Sequence, residues 1–197
     1  MNEKNNMLET ALSLGYTFDF DLGLIFQKSD INEYCFPMDS FVFAHNGCGD
    51  YFCIIPEFGE TVFQIESISA DGRPVKPLAA DFKQFIRLVL AVPFTGILLS
   101  IYRITKENFL RDVAEVTAPT ETDRMQKVSQ LANIFSLSPM EQPYESVRAL
   151  QDTFPYEKIR FYDAYYDACG IDNPFSHVKP KFKETVLFQS AIEIKMP

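Results

Sequence analysis

Tryptophan is absent from this chain of 197 residues, and histidine occurs only twice, at His45 and His177. The cysteines add few further zinc-binding side chains, and the spacing of Cys48 and Cys53 matches no zinc motif. We therefore expect no metal site. The aromatic residues are 19 Phe and 9 Tyr, which predicts an interior filled by phenyl rings.

Basic residues are in the minority, since 18 Lys and Arg stand against 27 Asp and Glu, a formal net charge of −9. A protein that binds nucleic acid needs a basic face to neutralise phosphates, so the composition argues against a nucleic-acid partner. An acidic surface is compatible with a basic protein partner, and it equally serves to keep a small domain soluble.

Long hydrophobic runs are missing too. The longest, residues 88–102, is about 15 residues long against the roughly 20 that span a bilayer, and Pro93 and Gly96 interrupt it. The N-terminal segment has no apolar run of the signal-peptide type. We therefore expect a cytoplasmic protein with reduced cysteines and no membrane association.

The motifs of several common enzyme classes are also lacking. There is no G-x-G-x-x-G run, no Walker loop and no G-x-S-x-G elbow. Dinucleotide binding, phosphoryl transfer and serine hydrolysis thus lack their usual residues, and we expect no cofactor.

The order of periodicities predicts an α+β fold with a single, mainly antiparallel sheet and helices packed on it. Short aromatic and β-branched runs separated by turn formers are typical of strands joined by hairpins, here at residues 22–26, 41–45, 51–55 and 61–68. Helical spacing appears at residues 7–14 and 82–90. Alternation at residues 186–194 predicts a C-terminal strand that returns to the sheet.

Residues 105–172 have a mostly helical pattern that predicts a small bundle or a cover over one sheet face. The expected N-caps are Thr105 and Thr120, and the expected helix starts are Pro143 and Pro155. Because the predicted last strand returns to the sheet, we interpret 105–172 as a helical insertion or extension within a single domain of residues 1–197.

The most distinctive segment is the loop from Asn46 to Asp50, between two aromatic runs. Asn-Gly favours a tight hairpin whose turn has positive φ at both central residues, and the second glycine, Gly49, allows a bulge. The loop joins two strands instead of leading into a helix, so it does not fit a phosphate-binding loop.

The run Phe43-Ala44-x-x-Gly47-x-Gly49-Asp50 between two strands resembles the signature of the SUKH superfamily, which includes yeast cell-wall assembly regulators and many bacterial toxin-immunity proteins. Residues 62–65 are similar to the strand that follows in that superfamily, and Asp81-Phe82 to its helix with a D-F motif.

The resemblance covers residues 1 to about 95, and the usual Leu-Pro-x-x-Tyr/Phe entry is missing from the N-terminal helix. It implies an α+β domain with one antiparallel sheet that binds proteins without catalysis. In bacterial members the partner is often a secreted toxin that is neutralised in the cytoplasm.

We therefore predict a non-catalytic protein-binding module of the immunity or regulatory type, whose acidic surface docks on a basic protein such as a toxin. The candidate partner-binding residues lie on predicted hairpin turns at one acidic edge. They are Asp39, Asp50, Glu57 and Glu60, with Tyr51 as the aromatic anchor.

Two other interpretations stay open. A small hydrolase or transferase would use Cys48 or His45, and a nucleophilic cysteine would need the imidazole within hydrogen-bond reach. Side chains three apart on a strand point to opposite faces, so these two would meet only if the turn folded them together. A structural subunit would instead use the acidic surface to solvate a homo-oligomer.

Overall fold

The computed structural model of the protein describes residues 3–29, 35–66, 69 and 72–176. Its strands are β1 (Ile25–Ser29), β2 (Phe41–His45), β3 (Asp50–Ile54), β4 (Val62–Glu66) and β5 (Val75–Ala79). Its helices are α1 (Glu3–Leu14), α2 (Asp19–Leu22), α3 (Phe82–Ala91), α4 (Thr95–Ser100), α5 (Lys106–Val116), α6 (Thr122–Phe135), α7 (Pro143–Thr153) and α8 (Asp163–Cys169). Within these ranges no helix is both long and apolar enough to cross a bilayer.

The strands form one sheet in the order β1-β2-β3-β4-β5, and every neighbouring pair is antiparallel. This confirms the predicted α+β class and the hairpin-linked strands. The sequence does not predict β5, because Lys76 and Pro77 interrupt its strand-forming residues, although the whole strand is buried. The predicted C-terminal strand, residues 186–194, lies outside the described residues.

Alternate strand residues send their side chains into two hydrophobic clusters, one on each face of the sheet. In β3, for example, Phe52 belongs to the first cluster, whereas Tyr51 and Cys53 belong to the second. The first cluster includes side chains of α1, α3 and α4, and α5, α6 and α7 add Phe109, Leu131 and Val147. The second is covered by Ile159, Phe161, Tyr165 and Tyr166. The expected helical cover over one face is therefore wrong, since the helical region packs on both faces.

The outer edge of β5 is protected from pairing with another strand. Pro77 has no N–H to offer a neighbouring strand, and α7 packs along β5. From α7, the side-chain amide of Gln151 donates to the carbonyl of Pro77 at 3.2 Å. The helical region thus covers an edge of the sheet as well as its faces.

Two of the predicted helix starts are confirmed. The side chain of Thr105 accepts a hydrogen bond from the N–H of Asn108 at the start of α5, and α7 begins at Pro143.

The other two predicted helix starts are wrong. A turn closed by the bond from the Glu121 N–H to the Ala118 carbonyl includes Thr120, so α6 begins only after Glu121. Pro155 precedes a short 3-10 turn, and α8 begins later, at Asp163.

Replacement of Leu131 by alanine tests whether the helical region shares the core of the sheet. Leu131 is fully buried in the first cluster, so we expect Leu131→Ala to lower the free energy of unfolding by about 3 kcal/mol. Far-ultraviolet circular dichroism and tyrosine fluorescence should report one common shifted transition in denaturant.

The control is Ile134→Ala, on the same helix but at an exposed position, with an expected loss of about 0.5 kcal/mol or less. Two separate transitions, with only the helical signal shifted by Leu131→Ala, would contradict a shared core.

Candidate functional site

A cleft of about 590 Å³ opens at the end of the sheet where β2 turns into β3. One wall is the β2–β3 turn, and others come from α2 and from the start of α4. Glu66, the last residue of β4, lies between them. The cleft is within the size range of ordinary ligand pockets, and its position follows from three segments that are distant in sequence.

Asn46 organises the β2–β3 turn. Its side-chain oxygen accepts hydrogen bonds from the N–H groups of Cys48 at 2.9 Å and Asp50 at 3.0 Å. Its amide group donates to Oδ2 of Asp50 at 2.8 Å, which holds that carboxylate in place. The turn has positive φ at Gly49 but not at Gly47, so the predicted Asn-Gly turn with two positive φ values is wrong. A side chain–backbone turn built on Asn46 takes its place.

The opposite wall depends on two glycines that let side chains approach the backbone closely. A Cβ atom on Gly96 would lie 2.8 Å from the ring of Phe94, and one on Gly23 would lie 2.8 Å from Oγ1 of Thr95. Gly23 also has φ of +62°, and its carbonyl accepts a hydrogen bond from Thr95 Oγ1 at 2.7 Å. These contacts fix α2 and α4 side by side.

The mouth of the cleft carries an unusually exposed aromatic residue. Phe20 is 95% exposed although it lies in α2, between the cleft-lining Asp19 and the buried Leu22. Phe94, across the mouth, is 38% exposed. Exposed phenyl rings beside polar groups are a common feature of protein-binding surfaces.

Buried charge lies beneath the cleft. Glu66 is only 7% exposed, and its Oε2 atom is 3.4 Å from the Nζ atom of Lys76 on β5. The hydroxyl of Tyr102 donates to the same oxygen at 3.3 Å, and the amide of Gln64 donates to Oε1 at 3.1 Å. The Lys76 ammonium also lies 3.9 Å from the centroid of the Tyr102 ring. The ion pair is therefore embedded in a network that joins β4, β5 and the segment after α4.

Burial raises the pKa of Glu66 above its ordinary value, because desolvation disfavours the carboxylate. The ammonium and hydrogen bond of Lys76, together with the hydroxyl of Tyr102, offset part of this rise. Asp50, paired with Glu66 across the β3–β4 ladder, adds a second negative charge and raises the Glu66 pKa further. The cleft thus concentrates negative charge at the junction of these two strands.

No metal-binding arrangement forms from these acids. Nowhere in the described part of the chain do three His, Cys, Asp or Glu side chains converge in a way that could hold an ion.

Of the predicted partner-binding residues, only Asp50 lines this cleft. Asp39, Glu57 and Glu60 precede β2 or β4 at the other end of the sheet, roughly 13 Å away along a five-residue strand. The predicted single acidic edge is therefore wrong, because consecutive hairpin turns lie at opposite ends of an antiparallel sheet.

Local structure accounts for the positions of Glu57 and Asp39. Both Nε and an Nη atom of Arg160 bond to Glu57 Oε2, at 3.0 and 2.9 Å, which attaches the segment before α8 to the β3–β4 turn. Asp39 has φ of +60° in a turn closed by the bond from the Ser40 N–H to the Pro37 carbonyl.

Tyr51 is a core residue rather than a surface anchor. Its side chain is 9% exposed and belongs to the second cluster, where its ring packs edge-on against Phe36 at 4.9 Å. The sequence pattern does not reveal this, because an aromatic residue next to a turn can face either solvent or the core.

Cys48 lies on the exposed turn and lines the cleft, but the histidine proposed as its base is bonded elsewhere. The Nδ1 atom of His45 lies 3.0 Å from the Asn46 carbonyl, and Nε2 lies 3.4 Å from Gln27 Oε1. Among the described residues no hydrogen bond joins Cys48 to His45, so the thiol–imidazole pair that the enzymatic alternative needs does not form.

The sequence analysis does not identify three of the cleft residues as site residues: Asp19, Phe20 and Glu66. The first two look like part of a polar turn, and Glu66 looks like the solvent-facing end of a strand. The sequence does offer one signal for Phe20, which lies between two aspartates. An apolar residue in a polar turn is exposed to solvent, and exposed apolar residues often indicate an interaction surface.

Comparison of the chain with family models, with curated proteins and with solved structures gives no match. The resemblance to the SUKH superfamily stays a prediction, carried by the β2–β3 turn and the strand and helix that follow it.

Removal of one partner of the buried ion pair should be costly. We expect Glu66→Gln to lower the free energy of unfolding by about 3 kcal/mol, because Lys76 would stay buried without its counter-charge. The double variant Glu66→Leu with Lys76→Met should recover most of that loss, as measured by denaturant unfolding. A double variant that loses as much stability as Glu66→Leu and Lys76→Met lose separately, added together, would contradict the assigned pairing.

The pH dependence follows from the raised pKa of Glu66. Lys76→Met removes a group that lowers this pKa, so the folded-state pKa should rise further. A raised folded-state pKa means that protonated Glu66 favours the folded state. This contribution to stability is fully present below the ordinary pKa of Glu and is lost as the pH rises through the folded-state pKa. Lys76→Met should therefore destabilise the protein more at pH 8 than at pH 4, and the reverse order would contradict the assigned environment.

Proposed function

We propose that this protein is a non-catalytic protein-binding module of the immunity or regulatory type, similar to the SUKH superfamily, and that the cleft face binds its partner. One observation carries the proposal: Phe20 is almost fully exposed, on a helix fixed by neighbouring contacts, at the mouth of an acidic cleft. Aromatic side chains presented in this way are the usual energetic anchors of protein interfaces.

The charge of the cleft face favours a basic partner. Asp19, Asp50 and Glu66 line the cleft together with a single cation, Arg103, and the chain as a whole carries a net charge of −9. Complementary charge accelerates encounter and selects against acidic partners. A basic toxin is one class of protein that fits this surface.

Rigidity of the cleft face supports binding by a preformed surface. Asn46 fixes the turn, and the bond between Thr95 and Gly23 joins α2 to α4. A surface that is ordered before binding avoids the entropy cost of ordering it afterwards.

The enzymatic alternative gains no support from the position of Cys48. A nucleophilic thiol needs a base within hydrogen-bond reach, and the ring nitrogens of His45 face the Asn46 carbonyl and Oε1 of Gln27 instead. A second function is therefore not proposed.

Phe20→Ser tests the proposed surface. The tagged protein and this variant would each be used to capture partners from the native cell lysate, and the protein captured only by the unaltered chain would be purified. Calorimetric titration should then give an affinity about 30-fold weaker for Phe20→Ser, as expected for loss of an interface anchor. Affinity for the unaltered chain should fall as the salt concentration rises.

The matched control is Leu110→Ser, which replaces another exposed apolar residue, on α5, that does not line the cleft. Its affinity should equal that of the unaltered chain. A partner that binds Phe20→Ser as tightly as the unaltered chain would rule out the cleft face.

A charge comparison separates the two ends of the sheet. Asp19→Asn with Asp50→Asn removes two negative charges at the cleft, and Glu57→Gln with Glu60→Gln removes two at the other end. The first pair should weaken binding of the captured partner about tenfold and reduce its salt dependence, and the second should leave both unchanged. The opposite result would place the interface at the β3–β4 turn instead.

A further inference from the structure

We infer that the cleft binds an arginine side chain of the protein partner, with its guanidinium against Asp50 and Glu66. The inference rests on the proposed function and specifies the chemistry recognised at that site. Four observations support it: the dimensions of the cleft, the balance of charge in it, a buried acceptor without a donor, and the aromatic rings at its mouth.

The cleft has room for one long side chain of a partner. Its volume of about 590 Å³ is bounded by the β2–β3 turn on one side and by α2 and α4 on the other. An extended segment could cross the mouth and insert one residue.

Three acidic residues line the cleft, whereas Arg103 is the one cation among its lining residues and Lys76 lies behind Glu66. Glu66 is paired with Lys76, whose Nζ atom is 3.4 Å away, but Asp50 has only a neutral partner. The amide of Asn46 donates to Oδ2 of Asp50, and Oδ1 has no hydrogen bond with any described residue. Asp50 and Glu66 are directly opposite each other on adjacent strands, so a single cation could contact both carboxylates.

A buried acceptor beside the cleft lacks a donor. The Nε2 atom of Gln64 donates to Glu66 Oε1 at 3.1 Å and to the carbonyl of Leu99 at 3.3 Å, and both acceptors belong to cleft-lining residues. The other end of the same amide, Oε1 of Gln64, is buried and has no hydrogen-bond partner in the described chain. An unsatisfied buried oxygen is costly, so the polar network behind Glu66 and Leu99 still lacks one N–H donor.

The aromatic rings favour arginine over lysine. A planar guanidinium stacks on phenyl rings and offers five N–H donors, whereas an ammonium is a strongly hydrated point charge with three. Phe94 already accepts such a contact, since the guanidinium carbon of Arg124 lies 5.7 Å from its ring centroid. Phe20, at the other side of the mouth, exposes nearly its entire ring.

A titration of the full-length protein with N-acetyl-L-argininamide, followed by amide nuclear magnetic resonance, tests the inference. We expect saturable shifts at Gly47, Cys48 and Asp50 with a dissociation constant on the order of a few millimolar, as suits one side chain. N-acetyl-L-citrullinamide has nearly the same shape without the charge and should give no saturable shift. N-acetyl-L-lysinamide should bind more weakly than the arginine compound.

Asp50→Asn should weaken the binding of N-acetyl-L-argininamide about fivefold, because one of the two carboxylates loses its charge. The matched control, Glu57→Gln, removes one charge at the other end of the sheet and should leave the dissociation constant unchanged. The amide spectrum of each variant also reports whether it is folded. Equal binding of the citrulline compound, equal binding of the lysine compound, or no effect of Asp50→Asn would overturn the inference.

The two proposals fail in different ways. A captured partner that needs Phe20, without binding of N-acetyl-L-argininamide, would overturn the arginine site and leave the protein-binding surface in place. Selective binding of N-acetyl-L-argininamide without any partner that depends on Phe20 would overturn the protein-binding surface instead.

Discussion

The ion pair between Glu66 and Lys76 joins two neighbouring strands inside the protein, and the architecture of the cleft depends on it. The first face of the sheet is hydrophobic over most of its area, but it ends in Gln64, Glu66 and Lys76 at the β4–β5 side. Both Gln64 and Lys76 bond to Glu66, because buried polar side chains would otherwise lose their hydrogen bonds to water. Tyr102 completes the network from the segment after α4, and this contact helps to set where α4 lies.

The position of α4 then determines where α2 and the two phenyl rings at the mouth of the cleft lie. Thr95 at its start bonds to Gly23, which brings α2 against it and places Phe94 and Phe20 on the same mouth. The β2–β3 turn closes the remaining side, with Asp50 held by Asn46 beside Glu66. Charge, aromatic exposure and a preformed shape therefore meet at a single place, although their residues come from three distant parts of the chain.

The sequence predicts the sheet well because each hairpin signal is local. The turn at Asn46-Gly47, the cap at Thr105 and the start at Pro143 are read from a few neighbouring residues, and the structure has an element boundary at each. The prediction of secondary structure fails where tertiary contacts determine which element forms. Lys76 and Pro77 are poor strand formers, yet β5 forms because it pairs with β4 and is covered by α7.

The candidate site was only partly predictable for the same reason. Asp50 belongs to the predicted turn and does line the cleft, whereas Tyr51 next to it turns into the core. Asp19, Phe20 and Glu66 form part of one site only because the folded chain brings α2, α4 and β4 together around the cleft. Consecutive hairpin turns alternate between the two ends of the sheet. The acidic turns therefore do not form the single edge that the sequence predicts.

Amide hydrogen exchange of the chain, free and saturated with its captured partner, is the most direct test of the cleft as the binding surface. The account predicts that binding slows exchange in α2, in the β2–β3 turn and at the start of α4. Slowed exchange confined to the β3–β4 turn and the segment before β2, with the cleft segments unchanged, would contradict it.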